Sequence, residues 1–179
     1  MRTYIALLKG INVSGQKLIK MDDLRNSFSS LGFVNTRSYI QSGNIIFETN
    51  FQADTIENMI ARKIEHDFGF QVPVLVYSVE KWKQMIDNNP FLGKSEMDIS
   101  FLHISFLSKS PTNYNIESLN KKKLESEEFH ITENAVYLYC PHGYGKTKLN
   151  NGFWETQLRV IATTRNWKTA TEILRIAQE

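Results

Sequence analysis

The sequence predicts an α+β protein built from two ferredoxin-like subdomains, each a split βαβ unit whose antiparallel sheet packs its helices on one face. Three observations point there. Residues 3–79 read in the order β-α-β-β-α-β, the order of split βαβ domains. At the centre of that stretch, residues 34–40 and 45–49 form two strands around Gln41-Ser-Gly-Asn44, and Gly43 and Asn44 tolerate the positive φ that hairpin turns demand. The second half then repeats strand, helix, hairpin, helix, with Glu133-Asn-Ala-Val-Tyr-Leu138 in the place of Ser42-Gly-Asn-Ile-Ile-Phe47.

Each element has a local cause. Residues 3–8 are a short apolar run, as expected of a strand covered on both faces. A loop with two glycines follows, Lys9-Gly-Ile-Asn-Val-Ser-Gly-Gln-Lys17. A helix opens at Met21 or Asp22 and carries Leu24, Phe28 and Leu31 at helical spacing until Gly32 stops it. After the hairpin, Asp54 and Glu57 are spaced as a capping box. Ile56, Ile60 and Ile64, with Met59 and Phe68, make the buried stripe of the next helix, which Gly69 ends. Residues 73–79 form a strand, and Ser78 caps a short helix carrying Trp82, Met85 and Ile86. Asn88-Asn-Pro90 terminates it.

Residues 93–98 are polar and read as a linker, so the expected subdomains are 1–92 and 93–179. In the second, residues 99–107 are a strand, and a helix runs through Ile116, Leu119 and Leu124. Residues 129–132 and 135–140 form the second hairpin. Trp154, Leu158 and Ile161 resume helical spacing. Thr169 with Glu172 reads as a capping box for a last helix bearing Ile173, Leu174 and Ile176. No fourth strand stands out in this half.

Composition narrows the function class. With 41% hydrophobic and 22% charged residues, the chain is an ordinary globular one. A net charge of +2 is too small for a dedicated nucleic-acid binder. Cys140 is the single cysteine, so no internal disulfide forms and a reducing compartment is the default. The N-terminal apolar run, residues 4–8, is too short for a signal peptide or a membrane span. The expectation is a cytoplasmic protein with no membrane partner.

Several motifs have plainer readings beside the functional one. Gly143-Tyr-Gly-Lys-Thr147 suggests a phosphate loop, but a P-loop would need glycine where Cys140 stands. A looser role remains, in which Lys146 and Lys148 hold a phosphate or carboxylate. The four histidines, His66, His103, His130 and His142, lack ligand spacing, so no metal site is expected. Cys140 at a strand end reads as a small buried hydrophobe. Ser42 sits in a hairpin and not in a nucleophile elbow. The aromatic-basic signature of an RNA recognition motif is absent from residues 42–48. Lys121-Lys-Lys123, followed by Glu125, Glu127 and Glu128, reads as a solvated face. In Thr163-Thr-Arg-Asn-Trp-Lys-Thr169, Arg165, Asn166 and Trp167 fall in a loop before the last helix; they either offer an anion-binding surface or are structural, with Trp167 packed into the core and Arg165 paired with a carboxylate.

Five motifs in order resemble the bacterial domain-of-unknown-function family 1697: Leu7-Leu-Lys-Gly-Ile-Asn12, Tyr39-Ile-Gln-Ser-Gly-Asn44, Asn89-Pro-Phe91, Pro141-His-Gly-Tyr-Gly-Lys-Thr-Lys-Leu149 and Thr163-Thr-Arg-Asn-Trp167. Lys9 stands where the family usually shows arginine, and Thr147 where it shows serine. The resemblance implies ferredoxin-like subdomains and carries over no reaction.

The functional expectation is a protein that binds an anionic small molecule, phosphate- or carboxylate-bearing, in a cleft between the subdomains, as a binding protein or as an enzyme. Its ligand residues would be Lys9, Asn12, Gln41, Asn44, Lys148, Arg165 and Asn166, polar groups on separate motif loops. No catalytic set emerges and no cofactor is expected. The alternative is a non-catalytic module binding nucleic acid or protein, and a third reading has the motifs only fixing turns and the packing of the two halves.

Overall fold

The computed structural model describes residues 1–179. Its contacts divide the chain into two units, one of Met1–Gln84 with Glu172–Glu179 and one of Met85–Thr171. In the first unit, β1 (Arg2–Leu8), α1 (Met21–Ser30), β2 (Val34–Tyr39), β3 (Asn44–Thr49), α2 (Ala53–Phe68) and β4 (Val74–Ser78) follow one another. The sheet runs β2-β3-β1-β4 and every pairing is antiparallel, which is the ferredoxin-like arrangement. Tyr4, Ala6 and Leu8 of β1 and Ile45 and Phe47 of β3 face α1 and α2, which bring Leu24, Phe28, Ile56, Ile60 and Ile64. Burying each of those isoleucines stabilises the fold by about 1.5–3 kcal/mol. The alternate residues Ile5, Leu7 and Ile46 are buried too, which explains the unbroken apolar run of β1. The helix α3 (Val79–Asp87) follows β4 without a loop, and Lys81 N donates to Ser78 Oγ at 3.2 Å, the expected cap.

The second unit repeats the plan with β5 (Leu102–Leu107), α4 (Ile116–Asn120), β6 (Glu128–Ile131), β7 (Ala135–Tyr139), α5 (Asn151–Leu158) and β8 (Ala162–Asn166). Its sheet order is β6-β7-β5-β8, and α6 (Trp167–Ala177) follows β8 directly. The register of the two units also agrees. Leu7 pairs with Asn44 and Phe106 with Ala135. Leu8 N donates to Gly43 O at 2.9 Å, and Leu107 N donates to Asn134 O at the same distance. The hairpins therefore align as their sequences suggested.

Several local expectations give way. Residues 162–166 form an edge strand, so the second unit does have its fourth strand, and Arg165 and Asn166 lie on it. The cap of α6 is Asn166, whose Oδ1 accepts from Thr169 N at 2.8 Å. At α2 the N-cap is Gln52, without a side-chain bond. Glu57 Oε1 instead accepts from Val76 N at 2.9 Å and ties α2 to β4. Asn44 belongs to β3, and the positive φ falls on Gly43 and on Ile40. Ile161 lies beyond the end of α5, and α4 stops at Asn120, short of Leu124. No helix is long and apolar enough to cross a membrane.

Candidate functional site

Strand periodicity decides which side chains meet helices in the second unit. Leu107, Val136, Leu138 and Ala162 pack against Leu119 of α4 and Trp154 and Leu158 of α5. Counting back in steps of two places Ser105 and His103 of β5, and Thr164 and Asn166 of β8, on that same face. His103 pairs with Asn166 and Ser105 with Thr164. The matching pairs of the first unit are Tyr4 with Ser78 and Ala6 with Val76. The second unit thus carries an imidazole where the first has a phenol, and two hydroxyls where the first has aliphatic side chains.

Such a replacement costs stability unless the buried groups are bonded. They are. Thr164 Oγ1 donates to Asn151 Oδ1 at 2.6 Å, and because a hydroxyl has one proton, Ser105 Oγ donates to Thr164 Oγ1, also at 2.6 Å. Beside this chain, the His103 ring stacks on Tyr144, with centroids 4.9 Å apart and planes 22° apart. His103 Nδ1 lies 3.2 Å from Phe101 O. A carbonyl only accepts, so Nδ1 carries the proton. Burial holds the imidazole below its ordinary pKa, with the Phe101 carbonyl only partly opposing it, and the ring is neutral at pH 7.

His103 and Asn166 line a pocket of about 540 Å³ together with Ile99, Ser100, Trp167, Lys168 and Thr171. Lys168 is the one charged residue among them. The pocket opens at the first turn of α6, where the helix dipole places partial positive charge. Ile99, 59% exposed, adds an apolar wall. The arrangement offers an ammonium, a helix start, an imidazole and apolar surface, with no carboxylate among the lining residues.

A pocket of about 620 Å³ in the first unit is different. Asn12 and Gln41 line it, but so do Asp22 and Asp23 against Lys20. The Asn12 amide is already committed. Its Nδ2 donates to Ile19 O at 3.0 Å and to Gln41 O at 2.9 Å, and its Oδ1 accepts from Ile19 N at 2.8 Å. Asn44, fully buried, donates to Tyr39 O and to Ser42 Oγ at the hairpin. These two asparagines hold loops in shape.

Of the remaining expected ligand residues, Lys9 is half-buried after β1, Lys148 is exposed between β7 and α5, and Arg165 lies on β8. Arg165 Nη1 donates to Thr163 Oγ1 at 3.2 Å and to Thr164 O at 2.9 Å. Burial lowers its pKa to about 10, which leaves it charged at pH 7. In the Gly143–Lys146 loop, Gly143 N donates to Cys140 O and Lys146 N to Gly143 O, so two of the amides a phosphate cradle would use are committed within the loop. Cys140 is fully buried and its thiol is pushed up to about 11, the state of an inert core cysteine. No three His, Cys, Asp or Glu side chains gather as a metal site.

Asn166 is therefore the expected ligand residue that lies in the anion-compatible pocket, where His103 and Lys168 join it. The alternation Leu102-His-Ile-Ser-Phe-Leu107, polar at every second position of an apolar strand, is the sequence signal that marks His103 and Ser105.

The profile described as "Protein of unknown function (DUF1697)" matches residues 1–137. A solved structure described as conserved bacterial protein SP0830 from Streptococcus pneumoniae has the same fold, with a TM-score of 0.73 over 98% of both chains at 21% identity. No curated protein matches the chain.

Proposed function

We propose, for a chain that belongs to the DUF1697 family of proteins of unknown function, that it binds an anionic small molecule, phosphate- or carboxylate-bearing, in the pocket at the start of α6. The observation that carries this reading is the charge of the lining: Lys168 and the first turn of an 11-residue helix, with no carboxylate among the lining residues. A helix start and an ammonium together favour an anion. The polar substitutions of the second unit support it, since Ser105, Thr164 and Asn151 form a bonded chain where the first unit manages with Ala6 and Val76. We place the protein in the cytoplasm, on the strength of its single, buried and unpaired cysteine.

Calorimetric titration with phosphate monoesters and carboxylates, on wild type and Lys168→Gln, tests the proposal. Lys168 is exposed, so its replacement leaves the melting temperature unchanged and weakens anion binding by roughly tenfold, the effect of about 1.4 kcal/mol. Absence of binding by every anion, or affinity unmoved by Lys168→Gln, overturns it. Binding of short RNA instead, falling steeply with salt, moves the assignment to a nucleic-acid module.

A further inference from the structure

We infer that the ligand of this pocket carries a hydroxyl beside its anionic group, and that His103 Nε2 accepts a hydrogen bond from that hydroxyl while Lys168 holds the anion. The inference rests on the anion reading and narrows it to hydroxylated phosphates and carboxylates.

The two nitrogens of the ring differ in what they meet. Phe101 O can only accept, so the contact at 3.2 Å fixes the proton on Nδ1. Burial keeps a second proton off, so Nε2 holds a bare lone pair. The ring cannot readily turn that lone pair elsewhere: it stacks on Tyr144 and is flanked in the sheet by Leu138 and Asn166. His103 lines the pocket, so a site whose only charged wall is cationic also holds a neutral ring with one nitrogen uncommitted to the Phe101 carbonyl, which matches a ligand with both an anion and a donor. A bare anion would leave that acceptor facing negative charge, without a bond.

The first unit provides a comparison. Its counterpart of His103 is Tyr4, a buried side chain whose hydroxyl is spent on Phe51 O at 3.1 Å. An aromatic ring at this position therefore satisfies the fold, and packing alone does not require an imidazole. Ile99 contributes a wall for the remainder of the ligand, and a volume of about 540 Å³ exceeds what a bare phosphate or acetate fills.

Matched pairs that differ by one hydroxyl test this: 3-phenyllactate against 3-phenylpropionate, and glycerol 3-phosphate against propyl phosphate. Titration of wild type is expected to favour the hydroxylated member of at least one pair by roughly threefold to tenfold, the worth of one neutral hydrogen bond. His103→Phe, which keeps an aromatic ring on Tyr144, is expected to bind both members equally. Imidazole ¹⁵N shifts of the wild type give a reading that needs no variant: the unprotonated Nε2 resonance moves with the hydroxylated ligand and stays with its partner. Equal affinities in wild type, or a preference that survives in His103→Phe, overturn the inference and leave the anion site standing. If no member of either pair binds, the anion reading fails and this inference with it.

Discussion

Gly43 shows how a single residue sets the central hairpin. Its φ of +76° is available to any glycine, but the tighter constraint is space. A Cβ there would stand 2.8 Å from Leu8 O and 2.9 Å from Leu8 Cβ, and β1 cannot withdraw because Leu8 N donates to Gly43 O. Gly43→Ala is therefore expected to destabilise by about 2–4 kcal/mol, from left-handed strain and overpacking together. The melting midpoint would fall by roughly 5–15 °C for a chain of this size. Gly145→Ala is the control, since an added Cβ meets nothing within 4 Å. Equal midpoints for the two variants would show that the hairpin relaxes freely. Asn12 carries the same lesson for function. It is polar, sits in a motif loop and lines a pocket, yet all three of its side-chain bonds fasten its own surroundings.

Among the elements, what the sequence reveals depends on whether an element is stabilised by a repeating apolar pattern or by particular contacts. The α2 stripe, its stop at Gly69 and both hairpins are legible because period and turn chemistry agree with the tertiary fold. The edge strand β8 is hidden because Ala-Thr-Thr-Arg-Asn is mostly polar, and its strand character rests on Thr164 finding Asn151 and Ser105. The apparent capping pair of α2 misleads for a similar reason: the Glu57 carboxylate bonds a backbone amide of β4, 19 residues on. The pocket is hidden because His103 and Lys168 lie far apart in sequence. Asn166 joins strand to helix, and two substitutions separate its duties. Asn166→Ala removes the cap and is expected to cost about 1 kcal/mol while leaving anion affinity within about threefold. Asn166→Asp keeps the accepting Oδ1, so the midpoint holds, but its charge at the mouth of the pocket is expected to weaken anions by about tenfold or more. Calorimetric titration beside thermal melts reads both. If Asn166→Asp binds anions as wild type does, the ligand does not approach the start of α6.

Across the whole molecule, one βαββαβα plan appears twice, and the copies have diverged in their polar interiors. Two buried groups, one in each unit, respond to acid with opposite sign. In the second unit His103 is depressed below its unfolded pKa of about 6.5. As pH falls from there toward its folded value, the unfolded chain takes up the proton first, so the contribution of His103 to stability declines. In the first unit burial raises Glu57 above the carboxylate value of 4.5, with Asp54 adding to it and the Val76 amide opposing. Between 4.5 and that raised value the folded state binds more protons, so its contribution grows as pH falls. Asp67, held low by Lys63, Ser27 and His66, keeps its contribution until the pH drops below the ordinary aspartate range, outside this window. Urea denaturation of wild type, His103→Phe and Glu57→Gln at intervals from pH 4.5 to 7.5 isolates the two groups. The stability of wild type relative to His103→Phe is expected to fall toward acid, and relative to Glu57→Gln to rise. Glutamine retains the oxygen that accepts from Val76, so the second difference reports charge and not a lost bond. Two flat differences would mean that both side chains titrate in the fold as they do in the unfolded chain.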